Sequence, residues 1–358
     1  MASWRDNVRR VTPYTPGEQP HVAGMIKLNT NEDPYPPAPE VIKALQEVPA
    51  GDLRLYPDPA ASDLVNAIAA YHGVSPDQVF VGVGSDDVLA VAFMTFFNSG
   101  KPIFFPDITY SFYPVWAELF RIPYETKALG EIFEIRPEDY AGGNGGVVFP
   151  NPNAPTSRLE NLDTVENILQ NNPESAVIVD EAYIDFAGNG KDSGVFSALS
   201  LLNKYENLLV VRTFSKSRSL AGMRIGYAIG SAEMIKAMSD DRYSFNSYTM
   251  NRTAIAAGTA AIGNEEYFRS CIAKVIATRE RAKAEFTALG FTYPEPSGNF
   301  IFVSHPACPA KELFSALRSR HIYVRYFDVP RIDNCLRVTI GTDEQMEALF
   351  DFLKEYMA

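Results

Sequence analysis

The sequence predicts an α/β protein, with a mostly parallel sheet in a large domain and a smaller α/β unit at the C-terminal end. Three observations carry this. From Val79 onward short apolar runs alternate with longer amphipathic ones, and glycine- and proline-rich turns separate them. The chain has 358 residues, 46% of them hydrophobic, enough for one large core and a second packed unit. Such alternation marks βαβ units, whose parallel strands are buried on both faces and read as continuous apolar runs.

The elements follow in order. Residues 1–35 are polar and punctuated by proline, so an extended arm is expected there. Strands are expected in VFVGV, PIFFP, VVFP, AVIVDEAY, NLLVVRTFS and RIGYAIG, with one helix from Asp86 after the first run and another through Trp116 after the second. Past Met250 one long helical stretch is expected to reach about Leu289. FIFV, a helix, IYVRY, CLRVTIG and a final helix then make the smaller unit. The expected organisation is an arm at 1–35, a large domain at 36–260 and a small domain at 261–358.

Composition narrows the partners. A formal charge of −12 repels both nucleic acid and anionic membrane surfaces, so an anionic ligand must meet locally placed Arg or Lys. No run of about 18 apolar residues suggests a membrane span. Cys271, Cys308 and Cys335 lie far apart without C-x-x-C spacing, so no metal or redox site is expected. They fit reduced thiols in a cytoplasmic protein.

Ligands of open α/β sheets bind at the carboxyl ends of the strands, and that is where the chemistry-bearing residues fall. In TFSKSRSLAGMRIGY, residues 213–227, Lys216 follows an apolar strand between two serines. It is either a loop lysine or a Schiff-base lysine. The apolar approach and the neighbouring Arg218 and Arg224 favour a neutral, nucleophilic amine through desolvation and like-charge repulsion. AVIVDEAYIDF ends its strand on Asp180, either a turn cap or the carboxylate that keeps a pyridine nitrogen protonated. Tyr183 would then meet the same ring's phenolic oxygen, or serve at an interface.

GVGSDDVL, residues 82–89, joins a strand to a helix. Its glycines admit a phosphate to the helix N-terminus, with Ser85 placed as the N-cap and Ser215 and Arg224 as further donors. Many βα turns share this pattern, and it lacks the lysine of a P-loop. Tyr110 in PDITYSFYP is a candidate stacking ring or a core aromatic. The Asn/Pro loop at 149–157 either presents amides to a ligand or is a plain turn.

In their joint order these segments resemble the fold-type I aminotransferases and, within them, the histidinol-phosphate aminotransferase family, over nearly the whole chain. VTPYTPG, KLNTNEDPYPP, LYPDP, VGVGSDDVL, PDITYSFY, PNPNAPTS, VIVDEAYIDF, TFSKSRSLAGMRIGY, SGNFIFV, IYVRY and LRVTIGT carry the likeness. The resemblance implies a seven-stranded sheet and pyridoxal 5'-phosphate as cofactor. Lys216 would hold it, Asp180 would pair with its ring nitrogen, Tyr183 would donate to its phenolic oxygen, and Tyr110 would stack on its ring. Gly84, Ser85, Asp86, Ser215 and Arg224 would hold its phosphate, together with Tyr56 of a second subunit, which implies a homodimer with shared sites. Arg337, Arg325, Tyr14 and Asn29 would surround the substrate's anionic group. The chain departs from the family at Ala154, where many relatives carry Asn, so that contact falls to Asn153 or is absent, and at Ser157, where relatives usually carry Gly.

The implied reaction is a ping-pong transfer between L-histidinol phosphate and 2-oxoglutarate in histidine biosynthesis. An aromatic-amino-acid aminotransferase and a threonine-phosphate decarboxylase share the cofactor. A catalytically silent regulator of the same fold would want a basic patch or appendage, and a nucleotide-binding module would want a glycine spacing that this chain lacks.

Overall fold

The computed structural model describes residues 3–190 and 193–358. The strands are β1 (Ile26–Lys27), β2 (Val79–Gly82), β3 (Ile103–Pro106), β4 (Tyr124–Lys127), β5 (Val147–Pro150), β6 (Val177–Asp180), β7 (Leu208–Thr213), β8 (Gly226–Ile229), β9 (Phe300–Ser304), β10 (Ile322–Tyr323), β11 (Arg325–Tyr326) and β12 (Cys335–Thr339). The helices are α1 (Pro39–Gln46), α2 (Ser62–His72), α3 (Ser85–Phe96), α4 (Tyr113–Phe120), α5 (Leu162–Gln170), α6 (Ala232–Phe245), α7 (Arg252–Ile262), α8 (Glu265–Ala288), α9 (Ala310–Ser319) and α10 (Asp343–Met357).

Seven strands form one sheet in the order β2-β8-β7-β6-β5-β3-β4. The run from β7 to β4 is parallel, while β8 is antiparallel to both β2 and β7. Every residue of β5, β6 and β7 is buried. Alternate residues face opposite ways: Ile178 joins the core under α3, α4 and α6, and Val177 and Val179 join the core beneath α5. At about 25 cal/mol per Å² these two apolar layers are the main source of stability.

In the C-terminal unit β9, β11 and β12 form an antiparallel sheet in the order β11-β12-β9. The N-terminal segment contributes to this end of the molecule, because β1 pairs in parallel with β10. Among the described residues no helix is long and apolar enough to cross a membrane.

Three local expectations are corrected. The stretch from Met250 to Leu289 is two helices, since Gly263 and Asn264 interrupt it and Asn264 leaves helical geometry at φ −105°, ψ 64°. IYVRY splits at Val324 into β10 and β11, which belong to different sheets. Ser85 is the first residue of α3, and the cap position falls to Gly84 at φ 86°.

Candidate active site

The carboxyl ends of β5, β6 and β7 and the start of α3 open onto one cavity of about 590 Å³. That is the size of a cofactor-and-substrate pocket. Lys216, Asp180, Tyr183, Ser85, Asp86, Tyr110, Ser215, Arg224, Tyr14, Asn29, Arg325 and Arg337 all line it.

Asp180 ends β6 and is 4% exposed, with Oδ2 accepting from the Tyr113 hydroxyl at 3.2 Å and Oδ1 from the Ala182 amide at 3.2 Å. Burial pushes its carboxyl up to about 7, against the pull of these hydrogen bonds. The adjacent Glu181 points to the other side, into a buried ion pair with Arg212 at 2.8 Å. Asp180 has no cation partner among the described residues, so a cationic N–H reaching into the cavity would satisfy it.

Lys216 follows β7 and reaches back across the cavity, where Nζ donates to the Thr30 carbonyl at 2.9 Å. It lies 5.8 Å from the Tyr183 ring centroid. The expected like-charge neighbour Arg218 turns away instead: its guanidinium donates to the Ala261 carbonyl at 2.6 Å and covers the Phe268 ring at 3.7 Å. Only Arg224 of the two stays at the cavity, and Asp86 pairs with it at 3.2 Å.

The start of α3 is shaped for close approach. A Cβ on Gly84 would come 2.5 Å from Arg224 Nη2, and one on Gly226 would come 2.3 Å from the Gly84 carbonyl carbon. The first amides of α3 have no intrahelical acceptor, and the helix dipole adds a positive end. Asp86 uses its carboxylate to hold both Tyr110, whose hydroxyl donates at 2.7 Å, and Arg224. What it offers an anion is its backbone amide.

Across the cavity, Arg337 on β12 faces Arg325 on β11. Arg337 Nη2 donates to the Asn29 carbonyl at 2.8 Å, its Nε is buried without a partner among the described residues, and Phe300 lies 5.4 Å beneath it. Burial, with the Arg325 charge beside it, holds its guanidinium below the usual value. Tyr14 stacks on Phe112 at 4.3 Å, so the arm roofs this end. Asn29 is 2% exposed and its amide donates to the Glu18 carbonyl at 2.7 Å.

Three expected residues are not part of the cavity wall: Gly84, which precedes Ser85 and lies against Arg224, and Asn153 and Tyr56. Asn153 spends its amide on the Ile108 carbonyl and Thr156 Oγ1, both at 3.0 Å. Tyr56 is 77% exposed and stacks on Tyr248 at 4.5 Å, and it does not line its own chain's cavity. Ser157 keeps the left-handed turn at φ 64°, and its hydroxyl accepts from the Gly298 amide at 2.8 Å, which offsets the strain of a residue with a side chain there. Sequence reasoning missed Thr30, Asn31 and Glu32, which sit against Lys216 and Tyr183. Their signal was only their place beside Asn29 in KLNTNEDP.

The sequence model of the family "Aminotransferase class I and II" matches residues 23–353. The chain belongs to the class I and II aminotransferases. Among curated relatives of this aminotransferase, histidinol-phosphate aminotransferase 2 of Dechloromonas aromatica is 52% identical over 98% of this chain and 98% of its own length. The histidinol-phosphate aminotransferase of Lactococcus lactis subsp. cremoris is 48% identical over 99% of this chain and 98% of its own length. Among solved structures, that of histidinol-phosphate aminotransferase from Sinorhizobium meliloti in complex with pyridoxal-5'-phosphate is similar at 25% identity and a TM-score of 0.83, covering 92% of this chain and 90% of that one.

The aminotransferase is therefore a pyridoxal-phosphate enzyme of fold type I, and its residues fit that cofactor. The buried Asp180 carboxylate, without a cation among the described residues, suits a protonated ring nitrogen, Lys216 supplies an amine, and the α3 amides with Arg224 suit a phosphate.

Proposed function

We propose that the enzyme transfers the amino group between L-histidinol phosphate and 2-oxoglutarate, giving imidazole-acetol phosphate and L-glutamate, with the cofactor carried on Lys216. The carrying observation is the Arg325–Arg337 pair. Two guanidiniums share one wall, one of them with a buried unpartnered Nε, and no acid pairs with either among the described residues. Such a pair in a chain of net charge −12 is built for an anion that arrives with the substrate. Arginine's planar fork suits either a phosphate or a carboxylate, so the same wall serves the phosphorylated donor and the dicarboxylate acceptor.

Bound pyridoxal phosphate supplies an aldehyde for the donor's amine and a ring that takes up the electrons left on the donor's Cα. Asp180 holds the proton on the ring nitrogen, and Tyr183 donates to the ring oxygen. Lys216 would hold the cofactor through its amine, and that amine when free would be the base that takes the proton from the donor's Cα and the acid that gives it to the cofactor's C4′. Tyr110 would stack on the ring, Gly84, Ser85, Asp86, Ser215 and Arg224 would hold the phosphate, and Tyr14 and Asn29 would close the substrate end.

The active unit is a homodimer in this reading. The support is Tyr56: its carbonyl accepts from Arg252 Nη2 at 3.3 Å and its ring is braced on Tyr248, yet it faces solvent, as a residue serving a second copy would. The chain divides into an arm at 1–35, a large domain at 36–260 and a small domain at 261–358. Its three cysteines are free and buried, which suits a cytoplasmic enzyme.

A donor panel tests the substrate. Histidinol phosphate is expected to be used far better than histidinol or phenylalanine. Equal use of phenylalanine would replace this reading with an aromatic-amino-acid aminotransferase.

A further inference from the structure

We propose that Asn31 is a positioning residue that keeps the Tyr183 phenol a hydrogen-bond donor toward the cavity. The proposal rests on the reading of Tyr183 as the group that meets the cofactor's ring oxygen.

Asn31 is 1% exposed and sits in the left-handed region at φ 55°. Its backbone amide donates to Thr339 Oγ1 at 3.0 Å. The Thr339 hydroxyl sends its own hydrogen to Asn31 Oδ1, at 2.9 Å. With the Thr339 hydrogen sent to Oδ1, the side-chain amide turns its Nδ2 to the other side. Nδ2 is thereby aimed at Tyr183 Oη, 3.1 Å away. A phenol oxygen that accepts from an amide keeps its own hydrogen for another acceptor, and Tyr183 is part of the cavity wall. Accepting that bond also polarises the O–H and strengthens what it donates. A further bond, from Asn299 Nδ2 to the Asn31 carbonyl at 3.1 Å, ties the arrangement to the segment entering β9.

The loop after β5 raises the importance of this donor. Ala154 contributes only a methyl group beside Tyr183, and the amide of Asn153 is turned away to Ile108 and Thr156. The loop after β5 thus brings no side-chain amide to the ring oxygen. Tyr183, backed by Asn31, takes that role.

Two substitutions separate positioning from folding. Asn31→Gly suits the left-handed backbone and deletes the amide. Asn31→Asp keeps the shape but presents an acceptor, which draws the Tyr183 hydrogen away from the cavity. Each is made in the wild type and in Tyr183→Phe. The readouts are kcat and KM for the donor, the pH midpoint of the loaded protein's visible absorption, and the rate at which cofactor-free protein takes up pyridoxal phosphate.

In the wild-type background Asn31→Gly is expected to lower kcat about two- to tenfold with little change in KM, the range one net hydrogen bond supports. It should also slow cofactor uptake. Asn31→Asp should cost more than Asn31→Gly. The absorption midpoint should rise in both, since a ring oxygen less stabilised as an anion holds its proton to higher pH. In Tyr183→Phe neither substitution should add a further effect on any readout. The same losses with and without the phenol would overturn the proposal and leave Asn31 a fold element. If Tyr183→Phe alone moves nothing, the reading of Tyr183 itself falls, and the proposal with it.

Discussion

Arg325 and Arg337 stand opposite one another in the β11–β12 register, both facing the cavity. A charge-assisted hydrogen bond to a phosphate contributes roughly 1.5–3 kcal/mol. Arg325→Ala should therefore lower kcat/KM for histidinol phosphate about tenfold to a hundredfold. Glutamate should lose less, because its side-chain carboxylate still meets Arg337. Steady-state kinetics with both donors checks this, and an equal loss for every donor would contradict the phosphate-reading role.

Asp180→Asn should leave the fold intact by circular dichroism and cut turnover by several orders of magnitude, since an amide cannot keep a ring nitrogen protonated. Near-normal turnover would reduce Asp180 to a turn cap.

The same carboxyl makes a pH prediction for the cofactor-free protein. Burial raises its folded value to about 7 from an ordinary 3.8, so between these values the folded chain holds a proton that the unfolded chain has lost. Its contribution to stability must then fall as pH rises across that window. Asp33, also pushed up to about 7 by burial, acts in the same direction, so the comparison is with the variant. Asp180→Asn should flatten the decline in unfolding free energy, and loading the cofactor should do the same. A wild-type slope unchanged by either would show that Asp180 is not the titrating group.

Tyr56→Ala and Lys216→Ala, each inactive alone, should regain activity when mixed. Equal mixing makes half the dimers hybrid, each with one complete site, so about a quarter of sites should work. A fully active monomer in sedimentation experiments would contradict the shared site.

The strands that position the chemistry were legible because each is a buried apolar run with its reactive residue at or just beyond its carboxyl end. Asp180 and Lys216 could be placed in this way. The edge strand β4 was not legible: its YETK sequence is largely exposed and has no apolar run to announce it. The two-residue strand β1 exists only through its tertiary pairing with β10, which no local pattern encodes. Arg218 shows the limit for side chains. Its neighbourhood to Lys216 in sequence suggested a shared field, but the turn after β7 sends it to Ala261 and Phe268 on the other side. Asn31 was missed for a related reason, since its partners Tyr183, Thr339 and Asn299 come from three distant parts of the chain.

The central claim is that Lys216 carries the cofactor, and borohydride reduction of the loaded protein followed by digestion and mass spectrometry tests it directly. The pyridoxyl group is expected on the peptide containing Lys216 and is expected to vanish in Lys216→Ala. A label on any other lysine would contradict the account.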